Sequence, residues 1–277
     1  MRAQITALAL LAAASARAEI VLDGKIEQGG LALGRVAPGA TVEFAGRTVP
    51  VTPDGRFVIG FDRDAPVQAD LAIVRPDGGR DAQTLRIAAR TWQIERVEGL
   101  PQKLVTPDPA TAAKIAADNA LLAATRERTE AIPFFDTGFV MPAKGRISGV
   151  FGSQRVLNGV PRAPHVGLDI AGPVGTPVIA AADGIVALAK ADMVLTGQTV
   201  VIEHGYGLDS VYIHMSDISV SDGERVRQGQ RIGAIGQSGR ANGPHLHFGV
   251  TWFDVRLDPE TVLAVLPASA AGQNAAQ

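Results

Sequence analysis

Gly243-Pro244-His245-Leu246-His247-Phe248-Gly249 sets two histidines one residue apart at the head of an apolar alternation that continues through Val250 and Trp252. Such alternation reads as a β-strand, in which alternate residues share a face. Both imidazoles then point to one side and Leu246 to the other, with the rings roughly 7 Å apart on strand geometry. That separation suits one ring binding a metal and its neighbour acting on whatever the metal activates. Taken alone, the pair is equally well two half-exposed strand histidines.

The remaining histidines decide between these readings. All 5 histidines of the chain, His165, His204, His214, His245 and His247, lie between positions 165 and 247. Histidines with unrelated packing roles would also be found in the rest of the sequence. A second motif is Pro164-His165-Val166-Gly167-Leu168-Asp169-Ile170, where Val166, Leu168 and Ile170 alternate with His165, Gly167 and Asp169. This is strand periodicity with one buried and one polar face. On a straight strand His165 and Asp169 would stand about 13 Å apart, too far for one metal. A bend is therefore required, and Gly167, flanked by Pro164 and Gly172, is where it is expected.

His165, Asp169 and one histidine of the His245/His247 pair make a His/Asp/His set. Catalytic zinc sites commonly use three protein ligands and keep a fourth position for water. Two neutral imidazoles and one carboxylate leave such a centre net positive, which lowers the pKa of bound water toward ~7 and polarises a carbonyl. The free histidine of the pair can take the water's proton. His214, closing Val211-Tyr212-Ile213-His214, is a candidate second imidazole for a tetrahedral oxyanion. His204 precedes a Gly205-Tyr206-Gly207 turn and reads as structural. No GxSxG, HExxH or P-loop pattern competes, and Gly233-Ala234-Ile235-Gly236 reads as a strand and turn.

Composition narrows the class. The chain has 277 residues, 46% hydrophobic and 19% charged, with a formal net charge of -2. It has no basic field for nucleic acid. The 31 glycines and 17 prolines with few aromatics point to many turns and short strands, hence a mainly β protein. The absence of cysteine excludes disulfides, thiolate zinc sites and lipid-modified cysteine, so a metal must be held by His, Asp or Glu.

Residues 1–18 read as a signal peptide: Arg2, an apolar run from Ile5 to Ala14, and Ala16-Arg17-Ala18 before Glu19. No stretch approaches the ~20 apolar residues of a membrane span. An exported protein is expected, periplasmic or secreted, with no membrane span after signal removal. Residues 19–101 read as a small antiparallel β-sandwich. Short apolar alternations (41–44, 48–51, 56–59 and 71–74) are separated by Ala37-Pro38-Gly39, Pro53-Asp54-Gly55 and Pro76-Asp77-Gly78. This module lacks His, Cys and Asn, and its carboxylates, such as Asp62 and Asp64 flanking Arg63 at a surface turn, read as solvated. It is expected to be a spacer, docking or inhibitory module. Residues 102–137 are a linker and a helix, capped by Asp108 with Pro109 in its first turn and running from Ala110 to about Thr129. Residues 138–267 form the second β domain, with strands expected at 184–188, 199–203, 210–214, 231–235 and 247–252. Residues 268–277 read as a disordered tail.

Together these residues resemble the lysostaphin-type (LytM-like) zinc metallopeptidases, which cut peptide bonds in bacterial peptidoglycan. The matching motifs are His165-x-x-x-Asp169 and His245-x-His247. They are joined by Phe151-Gly152-Ser153-Gln154-Arg155, Gly175-Thr176-Pro177-Val178, Ala182-Asp183-Gly184, Tyr212-x-His214 and Gly236-x-Ser238-Gly239. The resemblance covers about residues 138 to 260. It implies an antiparallel β-sheet peptidase domain with one Zn2+ per chain held by His165, Asp169 and His247. It also implies His245 as the residue that activates water and His214 as the second active-site histidine. Spacing alone leaves open which of His245 and His247 binds the metal. The implied substrate is the peptide stems of peptidoglycan, with a divisome or cell-wall regulator as a partner class for the N-terminal module. Some members of that family have lost ligands and activate other wall enzymes, such as murein amidases. Here every ligand position is filled.

Overall fold

The computed structural model describes residues 20–97, 108–127, 129–157 and 159–268. The expected signal peptide and nearly all of the expected linker and tail lie outside them. The chain is mainly β, with an N-terminal β region, one long connecting helix and an extended antiparallel sheet domain.

The N-terminal region contains β1 (Leu22–Gly24), β2 (Leu31–Arg35), β3 (Thr41–Phe44), β4 (Arg47–Val49), β5 (Arg56–Gly60), β6 (Gln68–Val74) and β7 (Arg80–Arg86). They form two small antiparallel sheets, β1-β2-β5 and β4-β3-β6-β7. Each apolar alternation read from the sequence contributes a strand, because one face is buried: Val42, Phe44, Phe57, Ile59, Leu71 and Ile73 all lie in the core. That core does not stop at the edge of the module. Phe44 meets Phe61 edge-on at 5.6 Å and lies 6.2 Å from Trp252 of the sheet domain. Ion pairs from Arg56 to Asp136 and from Arg47 to Asp254 span the same junction.

Next come β8 (Ile94–Val97) and helix α1 (Pro109–Thr125). Asp108 accepts from the amides of Ala110 and Thr111, and Pro109 occupies the first turn, where no intrahelical donor is needed. The helix stops at Thr125, short of the expected Thr129, because the following backbone takes tertiary partners. Glu130 N donates to Glu203 Oε1 at 3.0 Å, and Thr129 Oγ1 accepts from Gly207 N at 2.7 Å.

The sheet domain comprises β9 (Arg146–Gly149), β10 (Gln154–Leu157), β11 (Val160–Pro161), β12 (Leu168–Ala171), β13 (Pro177–Ile179), β14 (Gly184–Met193) and β15 (Gly197–Glu203). It continues with β16 (Leu208–Ile218), β17 (Arg225–Val226), β18 (Arg231–Ile235), β19 (His245–Trp252) and β20 (Val255–Leu257), and α2 (Pro259–Val265) follows. The main sheet runs β17-β14-β15-β16-β19-β12-β9, so β19 lies between β16 and β12 in its middle. β8 pairs in parallel with β10, tying the segment before α1 to the strand that follows β9. Leu246, Phe248 and Val250 of β19 are fully buried on one face, as the alternation requires. Its other face carries the histidines.

Helix α1 lies on that second face. Leu122 packs against Leu188, Met193 and Val201, and Asp118 Oδ2 accepts from Val194 N at 2.7 Å. Among the described residues no helix is long and apolar enough to cross a membrane.

Candidate metal centre

Cross-strand register assembles the site. Asp169 of β12 stands directly opposite His247 of β19, Ala171 opposite His245, and Ile213 of β16 opposite His247 on the other side. His165 is not in a strand, contrary to the strand reading of residues 165–170: β12 begins only at Leu168, and the chain bends at Gly167. The bend removes the separation a straight strand would impose. His165 Nε2 lies 2.9 Å from Asp169 Oδ1 and 2.9 Å from His247 Nδ1, and His247 Nδ1 lies 2.8 Å from Asp169 Oδ1.

Two glycines make room for this convergence. A Cβ on Gly167 would stand 2.6 Å from His247 Nε2 and 2.5 Å from the Phe248 carbonyl oxygen. One on Gly149 would stand 2.4 Å from Asp169 Oδ2. The β12–β9 register also shifts between Asp169 and Ile170, a local irregularity of the kind that re-aims side chains.

The donor set fits a zinc ion. His165, Asp169 and His247 offer two imidazole nitrogens and a carboxylate oxygen within 4.8 Å of one another. Ligands about 2.0–2.2 Å from a tetrahedral metal lie only a little further apart than these atoms do. The outer shell is in place as well. His165 Nδ1–H donates to the Val150 carbonyl at 2.9 Å, which fixes the tautomer that frees Nε2. Burial alone would raise the Asp169 pKa, but the adjacent imidazoles of His165 and His247 outweigh it and hold the carboxylate ionised. His247 is pushed down by its own burial, which favours the neutral ring a metal needs.

His245 and His214 flank the three donors without joining them. His245 Nδ1–H donates to the Gly243 carbonyl at 2.8 Å, and its Nε2 lies 3.8 Å from Asp169 Oδ1. His214 has its ring 4.9 Å from that of His245, centroid to centroid. It sits at the point where β16 leaves β19 (last pair Ile213–His247) and takes up β18 (first pair Met215–Ile235). Its φ is 65°, a left-handed conformation uncommon for a non-glycine residue, which persists only where the surrounding structure holds it. Nδ1–H of His214 donates to the Ser238 carbonyl at 2.8 Å, and burial lowers its pKa to about 4.

His204 is structural, as its position suggested. It is 0% exposed, hydrogen-bonded through Nδ1 to the Asp183 carbonyl and through Nε2 to Ser210 Oγ, and packed edge-on against Phe139.

Two supports of the site have no counterpart in the sequence reading. Ser238 orients His214 through its carbonyl while its Oγ accepts from Gln198 N and donates to the Met215 carbonyl. Its only sequence signal was the Gly236-x-Ser238-Gly239 pattern, which carried no role. The second support is Arg63, for which the sequence pattern suggested no role of its own. It is only 7% exposed, and Nε donates to the Gly152 carbonyl at 2.9 Å. Trp92 fills the space a Cβ on Gly152 would need, meets Phe151 edge-on, and lies under the guanidinium groups of Arg63 and Arg90. The clamped loop carries Val150, the acceptor for His165, and Gly152 N itself donates to the His165 carbonyl at 2.8 Å.

Comparison with known proteins agrees with this geometry. Residues 163–259 match the model of Peptidase family M23. A Pseudomonas aeruginosa chain described as a peptidase M23 superposes with a TM-score of 0.68 at 27% identity, covering 87% of this chain and 96% of that one. Peptidoglycan DD-endopeptidase ShyA of Vibrio cholerae is 42% identical over 111 residues, 40% of this chain and 26% of the relative. Cell division protein DipM of Caulobacter vibrioides is 33% identical over 144 residues, 52% of this chain and 22% of the relative. The matches thus span about a quarter of the length of these curated relatives.

Proposed function

We propose that this chain, whose residues 163–259 match Peptidase family M23, is a zinc-dependent endopeptidase that hydrolyses peptide cross-links of bacterial peptidoglycan. The observation that carries this reading is the convergence of His165, Asp169 and His247 within 4.8 Å, with His245 and His214 beside them. Likeness to a relative named peptidoglycan DD-endopeptidase supports the substrate class.

His165, Asp169 and His247 are the metal ligands in this reading. Bound zinc would supply a positive centre that acidifies water and polarises the scissile carbonyl. His245, its Nδ1–H committed to the Gly243 carbonyl, keeps Nε2 as the acceptor for the water's proton. His214 has the same tautomer, fixed by Ser238, so its Nε2 becomes a donor only once protonated. Burial keeps the resting ring neutral. Negative charge developing on the substrate oxygen would favour the protonated ring, which then donates to it.

The periplasm is the proposed compartment, in keeping with the substrate. The N-terminal module is the proposed contact for a divisome or cell-wall regulator, a class to which likeness to a cell division protein lends support.

Zinc content measured together with digestion of isolated sacculi tests the reading. About one zinc per chain is expected, from the His/Asp/His set, with release of soluble peptides. His245→Ala should keep the zinc and stop the release, and His247→Ala should lose both. Zinc-loaded wild-type protein that releases no peptides would overturn the assignment.

A further inference from the structure

The register of the main sheet carries one more side chain to the histidine face. Arg146 of β9 stands opposite Ala171 of β12, and Ala171 stands opposite His245 of β19. Residues directly opposite one another in a sheet share a face, so the row Arg146–Ala171–His245 points to the side of the candidate metal centre. The neighbouring row agrees. Ile147, opposite Ile170 and through it Leu246, packs into the core on the other face. Two strand spacings put the Arg146 backbone about 10 Å from that of His245, a gap that an extended arginine side chain largely bridges.

Helix α1 leaves this part of the face uncovered. Its Leu122 packs against Leu188 and Met193 of β14 and Val201 of β15, whereas β12 and β9 lie beyond β19 from those strands. There Asp169 and Ala171 are half-buried, and Arg146 and Ser148 are exposed. A peptide that reaches the candidate metal ligands from the open side passes Arg146.

Charge gives an independent pointer to what that peptide carries. The chain as a whole has a net charge of -2. Yet the segments 144–149, 160–171 and 236–247, which build the centre, hold Lys144, Arg146, Arg162 and Arg240 against one carboxylate, Asp169. Arginines of the N-terminal module are neutralised: Arg47, Arg56, Arg75 and Arg80 each hold a carboxylate. Among the described residues Arg146 has no such partner. Its Nη1 donates only to the carbonyl of the next residue, Ile147, at 3.3 Å, long for an N–H···O bond. The remaining guanidinium donors are left for a ligand, and their planar fork matches a carboxylate. A cationic group at the same place would be repelled, and a neutral one would gain no charge-assisted bond.

We propose that Arg146 is a specificity-determining residue that binds a carboxylate of the peptide substrate close to the scissile bond. The proposal rests on the endopeptidase reading. A span of about 10 Å is about three residues of extended chain. Either a side chain or a chain terminus can supply the carboxylate, and the test separates the two sources.

Three synthetic cross-linked peptides provide it. The parent bears one side-chain and one terminal carboxylate, each within about three residues of the scissile bond. In each of the other two, one of these carboxylates is a carboxamide. Zinc-loaded wild-type enzyme should cut one carboxamide peptide with kcat/KM about 10-fold below the parent, the effect of one hydrogen bond to a charged group. The peptide affected names the source. In Arg146→Met that ratio should fall to about one, and Arg146→Glu should prefer an analogue with an amine in place of the carboxylate. Each ratio is taken within one protein, so any loss of active enzyme cancels. A wild type indifferent to both carboxamides, or a preference that survives in Arg146→Met, overturns the assignment. If the wild type cuts none of the peptides, the endopeptidase reading fails and binding decides the role of Arg146. Fluorescence anisotropy with labelled peptides should then show the parent bound more tightly than a carboxamide by wild type, and equally by Arg146→Met. Equal affinities on wild type, or no binding, overturn the assignment in that case.

Discussion

The guanidinium of Arg63 reaches across 89 positions of sequence to the Gly152 carbonyl, at 2.9 Å, and so ties the N-terminal module to the loop that orients His165. Removing that donor should loosen the ligand without unfolding the chain. Supporting contacts of metal ligands commonly cost 10–100-fold in affinity when lost. Arg63 acts through one more link, so Arg63→Met is expected to weaken zinc retention by about 10-fold, measured by competition with a chelator. The visible spectrum of the cobalt-substituted protein should change as His165 shifts. An unchanged affinity and spectrum would make the contact purely architectural.

Gly167 faces His247 and the Phe248 carbonyl with no space for a methyl group. Gly167→Ala should therefore separate His165 from Asp169, at a stability cost of about 1–3 kcal/mol from overpacking. Metal content should fall well before far-UV circular dichroism changes. Full zinc occupancy in this variant would show that the bend tolerates a side chain.

His214 holds a left-handed backbone inside β16. Asparagine adopts that conformation more readily than most residues, so His214→Asn should keep the thermal midpoint close to that of wild type. Loss of the second imidazole should lower kcat by about 10²–10³-fold, the usual cost of removing an oxyanion donor. Activity within a few-fold of wild type would remove His214 from the chemistry.

Glu203 is buried next to Glu130, and burial above all raises its pKa from 4.5 to about 7. In the unfolded chain it ionises near pH 4.5, in the folded chain near pH 7. Its contribution to stability is therefore fully present below pH 4.5 and is lost as pH rises through about 7. Glu203→Gln removes the titration. Its thermal midpoint should exceed that of wild type at pH 8, and the gain should shrink steadily as pH is lowered to 4.5. A gain that does not change with pH would assign the effect to packing.

The two motifs that hold His165, Asp169, His245 and His247 were legible because they obey local periodicity. An alternating pattern fixes which side chains share a face, and a distance that a straight strand cannot satisfy demands a bend, found at Gly167. The helix start was legible for the same reason, since Asp108 and Pro109 act on their own neighbours. Arg63 had no legible role, because its partner is a carbonyl 89 positions away and only the tertiary fold brings the two together. The turn of β16 from β19 to β18 at His214, and the lodging of α1 over the histidine face, likewise depend on partners far away in sequence.

The parallel pairing of Ile94–Val97 with Gln154–Leu157 bears on how such a chain can be recombined. A junction placed at residue 101 would look natural, since it separates two β regions. Yet it would leave one strand of a shared ladder with each parent and expose an edge open to pairing with other chains. It would also part Phe44 and Phe61 from Trp252. Exchange of the N-terminal region between relatives should therefore succeed only when the strand and its mate travel together. The unit of inheritance runs across the apparent boundary.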